Sequence, residues 1–162
     1  MLSKSGILIR RMGKNNLRER TNPMKYMIML KADPANQADR MPTDEELNEM
    51  GAYNEALIAS GALLAGEGLH PAETGSWVSF DGDERVVTDG PFAESKELIA
   101  GFWILQVKDR DEALEWARRI PLTSGTVEVR RVFEVEDFNP DNEYVKQEKQ
   151  WREEHEGVGR TA

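Results

Sequence analysis

A chain of 162 residues suits one domain, and at this length about 68–70% of the unfolded surface can be buried without covalent staples. The absence of cysteine excludes disulfides, zinc–thiolate sites, thiol catalysis and iron–sulfur clusters, and with only His70 and His155 a histidine metal site would need heavy carboxylate support, so no metal or cofactor is expected. The net charge is −9, yet residues 1–23 hold Lys4, Arg10, Arg11, Lys14, Arg18 and Arg20 against Glu19 alone, which leaves −14 on the remainder; such a body repels phosphates, so no direct nucleic-acid partner is expected.

In chain order, the basic leader comes first. Its apolar run, Gly6 to Ile9, is shorter than the roughly 7–15 residues of a signal peptide, and no long apolar stretch occurs anywhere, so export and membrane spanning are not expected and the protein reads as cytoplasmic. A basic leader with Ser and Asn is also compatible with an organelle presequence. Met24 opens "MKYMIMLK", a natural first strand, which favours an upstream-extended start with residues 1–23 disordered.

Lys25 to Lys31 is apolar on both alternate faces, as in a strand covered on two sides. After the loop "ADPANQADRMP", Thr43 stands three residues before Glu46 as a capping box. Leu47, Met50, Asn54, Leu57 and Ile58 then recur near helical spacing until Gly61, which predicts a helix over 44–60. "ALLAGEGLHP" is a short strand ending at Pro71, and "SWVSF" with "RVVT" flank the "DGDE" turn as a hairpin. "AGFWILQV", 100–107, is another strand with two apolar faces. Asp109 caps a second helix to Ile120, with Ala113, Trp116, Ala117 and Ile120 inward and Pro121 as the stop. "TVEVRRVFEV", 126–135, is the last strand.

This order predicts an α+β fold of the ferredoxin-like, split βαβ kind, with both helices on one face of an antiparallel sheet. In the last strand Val127, Val129, Phe133 and Val135 point one way with Arg131 among them, and Glu128, Arg130, Val132 and Glu134 point the other. The helix-free face must take either Tyr26, Ile28 and Leu30 or Met27 and Met29, and is then too apolar for water. Two subunits joining these faces as a homodimer would enclose a cavity lined by Glu128 and Arg130. The tail 139–162 is charged, and "NEYVKQEKQWREEHE" predicts an appended helix.

Between the strands ending at Thr88 and resuming near Ile99 lies "DGPFAESKEL", far longer than a two-residue hairpin turn. Loops carry chemistry on rigid scaffolds, so Asp89 is a candidate acid; equally, Asp before Gly-Pro is an ordinary turn former. "TDGPFAESKELIAGFWILQVKDRDEALEWARRIP" closely resembles the signature of the YCII-related, or DGPF-domain, family, with "MKYMIMLK", "SGALLAGEGLHP" and "VEVRRVFEVEDF" where that family has its first, second and last strands. The resemblance covers 24–138 and implies a subunit that dimerises into an α+β barrel. It also implies genes that lie near, or are fused to, those of extracytoplasmic-function sigma factors, hence a possible functional link to a sigma factor. In short bacterial members a histidine early in the first helix is proposed to pair with a cavity aspartate; the corresponding place here is near Met50, and no histidine occurs from Asp44 to Leu69.

The resemblance adds weight to Asp89, which as a carboxylate beside an apolar wall could act as a general base. Arg130 could grip a carboxylate or enolate through its fork, or simply pair with Glu128 or a cross-strand neighbour. Glu67, between Gly66 and Gly68, is a further candidate for the cavity. Glu94, Lys96 and Glu97 read as a solvated loop, His70 as strand-end surface, and Trp77, Phe92, Phe102, Trp103 and Trp116 as core or interface aromatics. Two functional classes follow: a small-molecule-binding dimer acting as an accessory or regulatory module, or a cofactor-free isomerase, lyase or dehydrochlorinase on a cyclic or aromatic substrate with Asp89 as acid–base. A third, a plain interaction protein docking through its tail, would lack a ligand-sized cavity.

Overall fold

The computed structural model describes residues 23–31, 41–92 and 98–155; the basic leader and the Glu94, Lys96 and Glu97 segment lie outside them. Nine helices and strands follow in chain order among the described residues: β1 (Met24–Lys31), α1 (Asp44–Ser60), β2 (Leu63–Gly68), β3 (Ser76–Asp81), β4 (Glu84–Asp89), β5 (Ile99–Val107), α2 (Arg110–Arg118), β6 (Thr126–Arg131) and α3 (Glu143–Glu154). The fold is α+β. Four strands form one antiparallel sheet in the order β2-β5-β1-β6, and β3 and β4 form a separate two-stranded sheet. The larger sheet is open and does not close into a barrel within the chain.

The helices start and stop where their sequences dictate. Thr43 Oγ1 accepts from the Glu46 amide while the Thr43 amide donates to Glu46 Oε2, which satisfies two orphan donors of α1 at once. Gly61, at φ 74°, ends it in the left-handed conformation that costs a glycine little. Asp109 caps α2 by accepting from the Glu112 amide. The expected inner stripe of α1 holds in part: Leu57 is buried and Met50 packs against the core, whereas Leu47 and Ile58 are exposed and Tyr53 is buried in addition. A stripe drawn through Leu47 and Ile58 leaves out Tyr53, whose hydroxyl counts against it in hydropathy but finds a partner inside.

One core lies between the helices and one face of the four-stranded sheet. Tyr26 and Ile28 from β1 and Trp103, Leu105 and Val107 from β5 meet Tyr53 and Leu57 of α1, and Ala113, Trp116 and Ile120 of the α2 region. Tyr53 stands edge-on to Trp103 and Trp116, with ring centroids 5.8 and 6.3 Å away. Its hydroxyl donates to the Trp116 carbonyl at 3.0 Å. Burial pushes its pKa up to about 12, with Arg119 opposing the shift. Gly66 is required by this packing, since a Cβ there would stand 2.9 Å from Trp103 Cδ1.

The last strand is shorter than its sequence suggests. β6 ends at Arg131, so Phe133 and Val135 do not extend its inner row; Phe133 is 73% exposed and stacks obliquely on Phe138 instead. The Val132 amide still donates to the Lys25 carbonyl, and a 3-10 turn over Val135–Asp137 then leads away. α3 is capped by Asn142, whose side chain accepts from the Tyr144 and Val145 amides, and it leaves Tyr144 and Trp151 exposed.

Candidate functional site

The hairpin β3–β4 carries the first candidate. Its "DGDE" turn closes Asp81 against Glu84, and counting outward in register sets Ser76 opposite Asp89. Ser76 Oγ donates to Asp89 Oδ1 at 2.6 Å, a short charge-assisted bond at an exposed position. The next residues of the motif are also tied into the framework. The Gly90 amide donates to the Gly75 carbonyl, and a Cβ on Gly90 would come within 2.7 Å of the Glu73 carbonyl oxygen and 2.8 Å of that of Ala72. The Gly90–Pro91 peptide is cis. Phe92 lies flat on Trp77, their ring centroids 3.9 Å apart. The motif thus fastens the base of the hairpin onto the 3-10 turn over Ala72–Thr74.

The other candidates meet on the sheet face away from the helices. Strand register places Glu67, Phe102, Met29 and Glu128 in one row across β2, β5, β1 and β6, and Ala65, Ile104, Met27 and Arg130 in the row beside it. Directly opposed residues share a face, and the alternate residues, including Ile28, Trp103 and Leu105, are those buried under the helices. The alternative left open by the sequence is thereby decided: Met27 and Met29 line the helix-free face, and Tyr26, Ile28 and Leu30 face the helices. Met27, Met29, Phe102 and Ile104 are half-buried, and Glu67 and Arg130 at the two edges are exposed.

Electrostatically this face is not a simple Glu128–Arg130 pair. Lys31 Nζ lies 3.3 Å from Glu128 Oε2, while Arg130 Nε is 3.7 Å from Glu128 Oε1, beyond hydrogen-bond length. Glu128 thus has its nearer cation on β1, and Arg130 makes no hydrogen bond and no second ion pair among the described residues. Lys25, on the same face, holds Glu134 at 3.4 Å.

Asp89 and the trio Glu67, Glu128 and Arg130 belong to different sheets: the trio shares one face, with Glu67 at one edge and Glu128 and Arg130 at the other, and Asp89 lies in the hairpin. Trp103 and Trp116 are core residues, as read from the sequence; Phe102 lies on the open face and Trp77 and Phe92 stack on each other. His70 is an exposed residue beyond β2. Sequence reasoning missed Ser76 and Lys31. Ser76 could have been found by counting, since it lies five residues before Asp81 and Asp89 five after Glu84. Among the described residues no three His, Asp or Glu side chains are placed to share a metal ion, and no helix is long and apolar enough to cross a membrane. The depression lined by Lys108, Asp111, Glu112 and Glu115 is at α2, across the sheet from the open face.

Residues 24–136 match the YCII-related domain family. A Rhizobium meliloti (strain 1021) protein that bears the name "Uncharacterized protein R00369" is 31% identical over 87 residues, which cover 52% of this chain and 70% of that one.

Proposed function

The chain belongs to the YCII-related domain family, and from that premise we propose that it is a small-molecule-binding protein whose ferredoxin-like subunits pair through their open sheet faces into a dimeric barrel. The observation that carries this reading is the pair of side-chain rows across four strands, apolar in the middle, with Glu67 at one edge and Glu128 and Arg130 at the other. At about 4.8 Å per strand the patch is about 14 Å wide. A contiguous apolar surface of that kind marks an interaction site on a soluble domain, and a two-fold assembly would cover it with its own copy. The charged residues would then stand at the rim of the enclosed space, where they can select a ligand.

The binding reading is favoured over the catalytic one by the state of Asp89. A general base must reach a proton on the substrate, whereas this carboxylate accepts the Ser76 hydroxyl within an exposed hairpin. Sedimentation equilibrium tests the assembly: the expected species has twice the chain mass of 18.4 kDa at micromolar concentration. Ile104→Glu, at the centre of the open face, should split it into monomers that keep their helical circular dichroism. A wild-type monomer under these conditions removes the basis for an enclosed site.

A further inference from the structure

Resting on that binding reading, we propose that the open face takes an amphipathic monocarboxylate, its anionic head on the Arg130 guanidinium and its apolar body laid along Met27 and Ile104. Three observations converge on this class.

The first is the charge balance. Glu128 has its nearer cation in Lys31, at 3.3 Å, and Arg130 approaches Glu128 through Nε at 3.7 Å, beyond hydrogen-bond length. The terminal nitrogens of Arg130 therefore present an unmet pair of parallel donors, the geometry that a planar carboxylate accepts through two hydrogen bonds. Arg130 is exposed at the edge of the sheet, so that pair of donors can be reached without unfolding anything.

The second is what adjoins the fork. In the row of Arg130 the next side chains are Met27, Ile104 and Ala65, all apolar. A body of about 10 Å, two strand spacings, lies over Met27 and Ile104, with the apolar Met29–Phe102 pair on one side and the Lys25–Gln106 pair on the other. Methionine fills irregular contacts and adapts to rings and chains alike.

The third is Glu67. It lies at the opposite edge of the sheet, in the neighbouring row beyond Phe102, and has no cation beside it among the described residues. A ligand with a second carboxylate at its far end would bring like charges together there, so one anionic head is accepted and two are not.

The test uses the full chain and four probes of similar length: 4-phenylbutyrate, the neutral 4-phenylbutan-1-ol, the cation 4-phenylbutylamine and the dianion suberate. Isothermal titration calorimetry measures affinity, and the Met27 and Met29 methyl signals, assigned by substitution, report occupancy of the face. The expected result is that 4-phenylbutyrate binds at least tenfold more tightly than the other three and moves both methyl signals. Arg130→Gln should weaken it at least tenfold, while Arg131→Gln, which removes the same charge from a residue paired with Asp137, should change it less than twofold. Equal affinity for the alcohol, tight binding of suberate, full affinity in Arg130→Gln, or no methyl shift in a chain that sediments as a dimer each overturns the assignment of ligand class and leaves the dimer standing. A monomer whose methyl signals no probe moves overturns the assembly as well.

Discussion

Replacing Asp89 by Asn separates a structural carboxylate from a functional one, because Asn keeps an acceptor oxygen at the same place and removes only the charge. In the hairpin the carboxylate accepts one bond, from Ser76 Oγ at 2.6 Å. A hydrogen bond to a charged group contributes about 1.5–3 kcal/mol and a neutral one about 0.5–1.5, and solvent exposure puts this bond at the low end of either range. Asp89→Asn should therefore cost about 0.5–1 kcal/mol, or about 1–4 °C in melting midpoint for a domain of this size. Urea unfolding of Asp89→Asn, Ser76→Ala and the double variant gives the coupling directly. If the Ser76 bond is the whole role of the carboxylate, Asp89→Asn in the Ser76→Ala background should cost close to nothing, and 4-phenylbutyrate should bind all three variants as it binds the wild type. An Asp89→Asn protein with unchanged stability and a tenfold or greater loss of binding would refute this reasoning and return Asp89 to the site.

Tyr53→Phe tests the core. Its hydroxyl bond to the Trp116 carbonyl contributes about 1 kcal/mol at neutral pH, the lower end being expected because that carbonyl also accepts from the Arg119 amide. With a folded pKa pushed up to about 12 against about 10 unfolded, the unfolded chain ionises first, so this contribution is full below pH 10 and falls as pH rises toward 12, by about 1 kcal/mol at pH 11. The variant should thus be less stable than wild type at pH 8 and equal or more stable at pH 11; a constant difference across that interval would show that Tyr53 is not desolvated. Gly90→Ala should destabilise by about 1–3 kcal/mol, because its Cβ would press on the carbonyl oxygens of Glu73 and Ala72. Amide exchange should rise in β3 and β4 and stay slow in β5, and Gly68→Ala, with nothing near its Cβ, is the control.

Much of the fold was legible because several local signals agreed. The Thr43–Glu46 box, the Gly61 stop, the Asp109 cap and the "DGDE" turn each fix a chain direction through bonds within a few residues, and the structure contains each of them. Part of what was misread depends on contacts distant in sequence. Tyr53 is buried because Trp103 and Trp116 close around it and the Trp116 carbonyl accepts its hydrogen bond, and nothing in the local spacing of α1 announces that. The end of β6 was misread for a local reason: "VFEV" continues the alternation of a strand, but after Val132 the chain turns through Val135–Asp137, where the Glu134 amide donates to Asp137 Oδ2.

The site was legible only as a set of residue types. Alternation along β6 already put Glu128 and Arg130 on one face, and the loop length drew attention to Asp89, but which residues share a surface depends on strand order. Once β5 lies between β2 and β1, Glu67 joins the face through Phe102, and Lys31 comes within reach of Glu128 through the pairing of β1 with β6. The most recognisable stretch of the sequence, from Asp89 to Phe92, serves to anchor the hairpin. Ser76 holds its acid, two backbone carbonyls crowd its glycine, and Trp77 covers its phenylalanine. Those contacts explain why these residue types stand together without any ligand. The less distinctive Arg130 makes no hydrogen bond to a described residue and stands beside an apolar row, and the proposed binding site rests on that combination.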